Sequence, residues 1–179
     1  MPESGFRKAS DLILREIAVT LARVDEHQVR ALEKAIASDG AVFVAGEGRS
    51  GLVARCFAMR LMHLGVTAHV VGETVTPAFR PGDLLVAVSG SGETPVTCSL
   101  ASSAASRGGR VVAVTAGAQS SLAQAAHAVL SIPASESAQF GGTLFEQSAL
   151  IALDAVAWQL QRRLRQTAEQ MQARHTTLE

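Results

Sequence analysis

Apolar residues recur along the chain at two different spacings, and these spacings predict alternating helices and strands. Near the N-terminus, Leu12, Ile13, Ile17 and Leu21 fall at helical intervals, and the pattern predicts two helices over residues 4–38. Continuous apolar runs of strand length follow, and such runs are typical of parallel strands covered on both faces. The strands predicted in this way span residues 41–45, 67–71, 83–88, 111–115 and 128–132. The later helices are predicted over 52–64, 95–107, 122–126 and from 144 to about 174.

The order of these elements predicts the fold class. Strands that alternate with helices favour a parallel sheet with helices on both of its faces. We therefore expect an α/β protein, a three-layer Rossmann-like sandwich around a five-stranded parallel sheet. The 179 residues suit a single domain over 1–179, with N-terminal helices over 4–38 and a C-terminal helix plus tail over 144–179.

Two turns rich in glycine and hydroxyl groups are the most informative segments. Each follows an apolar strand and opens a helix, and their sequences are G-E-G-R-S-G over 46–51 and S-G-S-G-E-T over 89–94. In an open parallel sheet, ligands bind outside the carboxyl ends of the strands. Glycines let the backbone approach an anion, and hydroxyls and helix N-terminal amides supply hydrogen-bond donors. The two turns therefore predict a phosphate site.

A dinucleotide site is the first alternative, because Gly46, Gly48 and Gly51 fit G-x-G-x-x-G. An acidic residue about 20 positions later should then bind ribose, and Glu73 lies 22 positions after Gly51, so this test does not exclude the alternative. The second turn favours a single phosphate monoester, since Ser50, Ser89, Ser91 and Thr94 would face one crevice. Ordinary strand-to-helix loops with helix caps, Thr94 being placed to cap the helix at Pro95, remain the simplest alternative.

Composition excludes several classes of function. Lys plus Arg and Asp plus Glu are equal at 16 each, so the sequence shows no basic excess of the kind that nucleic-acid binding needs. No apolar stretch approaches the roughly 20 residues of a membrane span, and the first ten residues do not read as a secretory signal. Cys56 and Cys98 lie in apolar helical patterns, so we expect buried, reduced thiols and a cytoplasmic protein. The five scattered histidines predict no metal site.

The second turn, after its apolar strand, resembles the phosphate loop of the SIS (sugar isomerase) domain. Longer segments resemble the 6-phospho-3-hexuloisomerase family within it. These are G-R-S-G over 48–51, A-M-R-L-M-H-L-G over 58–65, V-G-E-T over 71–74, S-A-Q-F-G-G-T-L-F-E-Q over 137–147 and R-H-T-T-L-E over 174–179. Phe140 stands where this family often has Tyr, and Glu47 stands where a small residue is common, so we expect the Glu47 side chain to point away from the phosphate.

The resemblance implies an SIS fold, usually tetrameric, and the interconversion of 3-hexulose 6-phosphate and fructose 6-phosphate through a cis-enediol. It implies no metal and no organic cofactor. It also implies a place in the ribulose monophosphate route of formaldehyde fixation, beside a hexulose-phosphate synthase. The residues it marks for the substrate phosphate are Gly48, Arg49, Ser50, Ser89, Gly90, Ser91 and Thr94.

Glu146 and His63 are the candidate catalytic residues. By position alone, Glu146 is a first-turn glutamate that favours the helix dipole, and His63 is a structural histidine near a helix end. The resemblance instead implies that Glu146 is the proton-transferring base. It implies for His63 a role in ring opening, or in proton transfer between oxygens, within or across subunits.

Other interpretations stay open at this point. Arg49 could pair with phosphate or with a neighbouring carboxylate, and His69, His127 and His175 are taken as structural, with the tail at His175 a candidate for packing on another subunit. A non-catalytic sugar-phosphate-binding regulatory SIS module, or an isomerase of a pentose or heptose phosphate, would use the same turns. The apolar terminal helices exceed what one small sheet can cover, which favours a homo-oligomer.

Overall fold

Five short strands form one parallel sheet in the computed structural model, which describes residues 5–38, 40–134 and 136–178. The strands are β1 (Val42–Gly46), β2 (Ala68–Val70), β3 (Leu84–Val88), β4 (Arg110–Thr115) and β5 (Ala128–Ser131). Their order across the sheet is β2-β1-β3-β4-β5, and every neighbouring pair is parallel. The predicted fold class is therefore confirmed.

Seven helices are described around this sheet. They are α1 (Gly5–Leu21), α2 (Glu26–Ile36), α3 (Gly48–His63), α4 (Pro95–Ser106), α5 (Ser121–Ala125), α6 (Thr143–Arg163) and α7 (Ala168–Ala173). Side chains alternate across each strand, so successive residues of β1 enter different cores. Val42 and Val44 pack with α2, α3 and α6, whereas Phe43 and Ala45 pack with α4 and α5.

The sheet order creates a switch in chain direction between β1 and β3. The chain leaves β1 through α3 and reaches β2 on one side, and it leaves β3 through α4 and reaches β4 on the other side. Gly46 at the end of β1 lies opposite Val88 at the end of β3. The two glycine- and hydroxyl-rich turns therefore start side by side, at the kind of position where open α/β sheets bind ligands.

The C-terminal segment differs from the single helix predicted to run to about residue 174. Helix α6 ends at Arg163, and Arg165 adopts a left-handed conformation with a φ of 53°. Thr167 then caps α7, because its side chain accepts from the Gln170 amide while the Gln170 side chain accepts from the Thr167 amide. The apolar pattern alone did not reveal this break.

Two smaller differences concern α1 and the cysteines. The predicted start of the first helix at Ser4 lies outside the described residues. Cys56 is exposed, so the expectation of a buried thiol is wrong there, because Cys56 shares with Arg55 and Met59 the face of α3 that points away from the sheet. Cys98 is partly buried, and burial raises the pKa of its thiol, with Glu93 adding to the effect. Within the described ranges, no helix is long and apolar enough to cross a membrane.

Candidate active site

The first turn brings the start of α3 against the end of β1. Helix α3 begins at Gly48, inside the predicted turn, and Gly48 has a φ of 56°. A Cβ on Gly51 would lie 2.6 Å from the Gly46 carbonyl oxygen, so this close approach requires glycine. Glu47 at the N-cap makes no side-chain cap hydrogen bond, so the first amides of α3 are left uncapped. Glu47 is also exposed.

Ser50 is the hydroxyl residue of this first turn. It is buried, with an exposed fraction of 9%. Within the part of the chain that the structure describes, its hydroxyl has no hydrogen-bond partner, and its oxygen is not fully enclosed. Ser50 therefore keeps a donor for a ligand at the end of β1.

The second turn is folded around the Ser89 hydroxyl. Ser89 Oγ lies 2.9 Å from Thr94 Oγ1 and accepts a 3.1 Å hydrogen bond from the Gly92 amide. Ser91 is exposed, and its Oγ accepts from the Glu93 amide at 3.1 Å. Thr94 occupies the N-cap of α4 but its hydroxyl does not cap the helix, which corrects the capping expectation, because that hydroxyl is turned toward Ser89. The structure thus brings Ser89 and Thr94 into direct contact.

The loop between β4 and α5 supports this second turn. The Gly90 carbonyl accepts from the Ala116 amide at 3.1 Å and from Thr115 Oγ1 at 3.3 Å. The Glu93 carboxylate accepts from the Ser121 hydroxyl at 2.6 Å and from the Ser121 amide at 2.9 Å. These two hydrogen bonds, the hydroxyl first, lower the pKa of Glu93. The turn is therefore held from outside as well as from within.

Glu146 lies beside the first turn, and its neighbour Phe145 packs on the second. Arg49, in the first turn, donates from Nε to Glu146 Oε2 in an ion pair. Phe145 packs against the second turn so closely that a Cβ on Gly90 would lie 3.0 Å from Phe145 Cδ1. The Glu146 side chain is only 16% exposed, whereas that of Arg49 is 60% exposed. Of the two partners that the sequence left open for Arg49, the structure shows the neighbouring carboxylate.

A groove of about 190 Å³ opens beside this ion pair, between α3 and α6. Its lining includes Arg49, Glu146, Leu52, Cys56 and Leu150. The groove gives the Glu146 carboxylate an exit to solvent and brings the exposed Cys56 thiol to the same opening.

His63 lies elsewhere in the chain. It ends α3, fourteen residues after Arg49, which corresponds to about 21 Å along the helix axis. His63 is 5% exposed, and its Nε2 lies 3.0 Å from Nδ1 of His175 in the tail. Arg174 reinforces the contact by donating to the His63 carbonyl at 2.9 Å. Within one chain, the structure does not bring His63 to Glu146, and the tail packs on its own α3.

The remaining histidines contact the scaffold. His127 Nδ1 accepts from the Val111 amide at 3.0 Å, and the His69 ring packs 5.1 Å from the Phe43 ring. Both contacts agree with the structural role expected of them. Across the described ranges, no group of three or more His, Cys, Asp or Glu side chains is placed to hold a metal ion.

Sequence reasoning missed one acidic residue near the site. Glu16 on α1 accepts hydrogen bonds from three groups of the loop that leads to α6. An isolated glutamate on an amphipathic helix carries no motif, so no sequence signal indicated it.

The chain is similar to known proteins in sequence and in structure. The model of the SIS domain family matches residues 35–158. A 3-hexulose-6-phosphate isomerase from Mycobacterium gastri is 45% identical over 176 residues, covering 94% of this chain and 88% of that protein. The 3-hexulose-6-phosphate isomerase of Bacillus subtilis is 39% identical, covering 93% of this chain and 95% of its own length.

This chain also resembles a hypothetical protein from Methanococcus jannaschii. The crystal structure of that protein infers a molecular function of 3-hexulose-6-phosphate isomerase for it. It has a TM-score of 0.88 and 32% identity, and the match covers 96% of this chain and 99% of that one.

Gly92 offers a test of the second turn. It has a φ of 69°, and an added Cβ would overlap Ser120 Oγ and lie 2.9 Å from Thr115 Oγ1. We expect Gly92→Ala to lower the free energy of unfolding by about 2–4 kcal/mol, because overpacking adds to the backbone strain. Gly72 is the matched control, since its φ is 91° but nothing lies within 4 Å of an added Cβ. Gly72→Ala should cost about 1–2 kcal/mol in denaturant unfolding, and equal losses for the two variants would contradict the packing described.

The His63–His175 contact predicts a dependence of stability on pH. Burial, followed by the nearby His175 and Arg60, lowers the pKa of His63 below its ordinary value of 6.5. The unfolded chain then binds this proton more readily, so stability present above pH 6.5 is lost as the pH falls below it. We expect wild-type protein to lose more unfolding free energy between pH 7.5 and 5.5 than His63→Gln does. An equal loss in both proteins would refute this role of His63.

Proposed function

The chain belongs to the SIS domain family, and we propose that it is an isomerase that interconverts 3-hexulose 6-phosphate and fructose 6-phosphate. One observation of the structure carries the proposal. Glu146 contacts the first turn through its ion pair with Arg49, and its neighbour Phe145 contacts the second turn at Gly90. A carboxylate therefore lies beside the strand ends at which we propose that the phosphate binds.

The two turns would bind the substrate's phosphate. Uncapped amides at the start of α3, the Ser50 hydroxyl and the Ser89–Thr94 pair supply donors at adjacent strand ends. In this proposal the phosphate contacts are made by Gly48, Arg49, Ser50, Ser89, Gly90, Ser91 and Thr94. An anion there would also compete with Glu146 for the Arg49 guanidinium, which would free the carboxylate for chemistry.

The reaction needs only proton transfers. Glu146 removes the proton from C2 of 3-hexulose 6-phosphate, and the electron pair of that bond forms the C2–C3 double bond of a cis-enediol while the C3 carbonyl oxygen gains a proton. Return of a proton from Glu146 to C3, with loss of the O2 proton, produces the C2 carbonyl of fructose 6-phosphate. General acid–base catalysis of this kind contributes about 10²–10⁴-fold, and the scheme uses no metal and no organic cofactor.

In this scheme His63 acts only at the active site of a second subunit. Because His63 and Arg49 lie about 21 Å apart along α3, His63 would assist ring opening or oxygen-to-oxygen proton transfer at a neighbour's site. Large apolar side chains that remain exposed on the helices support a homo-oligomer, which we propose to be a tetramer. These side chains include Phe6 (84%), Leu14 (62%), Val19 (63%), Leu52 (62%) and Trp158 (67%).

We also propose a setting for the reaction. We place it in the cytoplasm, in the ribulose monophosphate route of formaldehyde fixation, where a hexulose-phosphate synthase would supply the 3-ketose. An isomerase assay with a panel of pentose, hexose and heptose phosphates distinguishes this assignment from a related isomerase. Saturable binding without turnover of any of them would favour a regulatory module.

Replacement of Glu146 tests the proposed base. We expect Glu146→Gln to lower kcat about 10²–10⁴-fold while fructose 6-phosphate still binds, because the amide keeps the shape and cannot take up the proton. Isomerisation measured by NMR and binding measured by calorimetry separate these effects. Glu169→Gln is the matched control, since Glu169 is also a first-turn glutamate, in α7, and is exposed. Retained turnover in Glu146→Gln would remove Glu146 as the base.

A further inference from the structure

We propose that Glu16 is a positioning residue of the active site, which fixes the loop over residues 136–142 and thereby the position of Glu146. The proposal extends the isomerase function given above, and it rests on that function for its kinetic consequence. It is carried by hydrogen bonds between a helix near the N-terminus and the segment that leads directly into α6.

The carboxylate of Glu16 binds three consecutive residues of this loop. Oε1 accepts from the Ala138 amide at 2.8 Å, and Oε2 accepts from the Ser137 hydroxyl at 2.8 Å and from Gln139 Nε2 at 2.9 Å. These hydrogen bonds, with the Ala138 amide first, hold the pKa of Glu16 below its ordinary value. All three partners donate, so the ionised carboxylate, which only accepts, suits them best.

Glu16 is itself held in place by α1. The next residue, Ile17, is buried, and Thr20 one turn later is also buried and donates to the Glu16 carbonyl at 2.9 Å. Helix α1 packs against α6, the helix that carries Glu146. The carboxylate is therefore presented by an element that is fixed relative to the catalytic helix.

The loop has little structure of its own beyond these contacts. Ser137 Oγ accepts from the Gln139 amide at 2.9 Å, and the Phe140 carbonyl accepts from Thr143 Oγ1 at 2.7 Å. Gly141 then adopts a φ of 58°, and Gly142 forms the N-cap of α6 without a side-chain cap. Gly141 and Gly142 have no side chains to anchor this connection, so its path depends on what holds the residues before it.

The end of the loop lies directly beside the proposed base. A Cβ on Gly142 would lie 3.7 Å from Glu146 Oε1, and the Glu146 amide donates to the Gly142 carbonyl at 3.1 Å. A shift of the 136–142 loop would therefore displace the first turn of α6 and the carboxylate on it. Misplacement of a reacting group by about 1 Å can lower the rate on the order of 10²-fold.

Glu16→Gln tests this role. The NH2 group of the new side chain would face either the Ala138 amide or the donors of Ser137 and Gln139, so at least one of these hydrogen bonds is lost. We expect kcat to fall about 10-fold while KM for fructose 6-phosphate changes less than about two-fold, since the phosphate turns are not touched. Ser137→Ala and Gln139→Ala remove contacts from the loop side and should have smaller effects that do not add to that of Glu16→Gln. Glu26→Gln is the control, because Glu26 is an exposed glutamate of α2 whose partner is Arg30; it should leave kcat unchanged.

A crystal structure of Glu16→Gln provides a readout that does not depend on turnover. A displaced 136–142 loop with the Arg49–Glu146 ion pair broken supports the proposal even if the wild-type protein shows no isomerase activity, which would remove the proposed function alone. An unchanged loop and ion pair overturn the proposal. If the wild-type protein is active, a displaced loop with unchanged kcat also overturns the proposal, and so does an effect confined to KM.

Discussion

The site depends on the divergence of the chain between β1 and β3. The neighbouring parallel strands β1 and β3 end at the same level. The helices that follow them lead to β2 on one side and to β4 on the other side. In open α/β sheets such an arrangement forms a crevice at the strand ends, and α3 and α4 both begin there. Backbone amides and short hydroxyl side chains then converge there without any long side chain having to reach them. The chemistry of the turns follows from this topology.

The backbone around the two turns is closely packed. Gly51 touches the Gly46 carbonyl, Gly90 touches Phe145, and Gly92 touches Ser120. The last two contacts join segments that are distant in the chain, so the second turn is fixed by neighbouring elements as well as by its own hydrogen bonds. One of these contacts also helps to position Glu146, since the residue before it packs on Gly90. In the proposed mechanism, such preorganisation would allow the carboxylate to act on a substrate held by its phosphate.

The sheet and its two turns could be predicted from the sequence because they depend on local patterns. Apolar runs mark strands that are covered on both faces, and glycines with hydroxyl residues mark the sites where backbone approaches backbone. The Arg49–Glu146 ion pair could be predicted only as one of two alternatives, since the partners are 97 positions apart. Two other contacts join polar residues more than 100 positions apart, and no periodic pattern in the sequence indicates them. They are the contacts of Glu16 with 137–139 and the His63–His175 contact. The break at Arg165 was hidden because no proline or glycine marks it, and Cys56 was misjudged because a cysteine suits either face of a helix.

Isomerisation in D2O tests the central claim most directly, because a carboxylate that carries the proton can exchange it with solvent before returning it. With 3-hexulose 6-phosphate as substrate, the account predicts deuterium at C3 of the fructose 6-phosphate formed, detected by NMR. Complete retention of protium at C3 would instead favour direct transfer of hydrogen between the two carbons, and it would contradict a mechanism in which the proton carried by Glu146 exchanges with solvent.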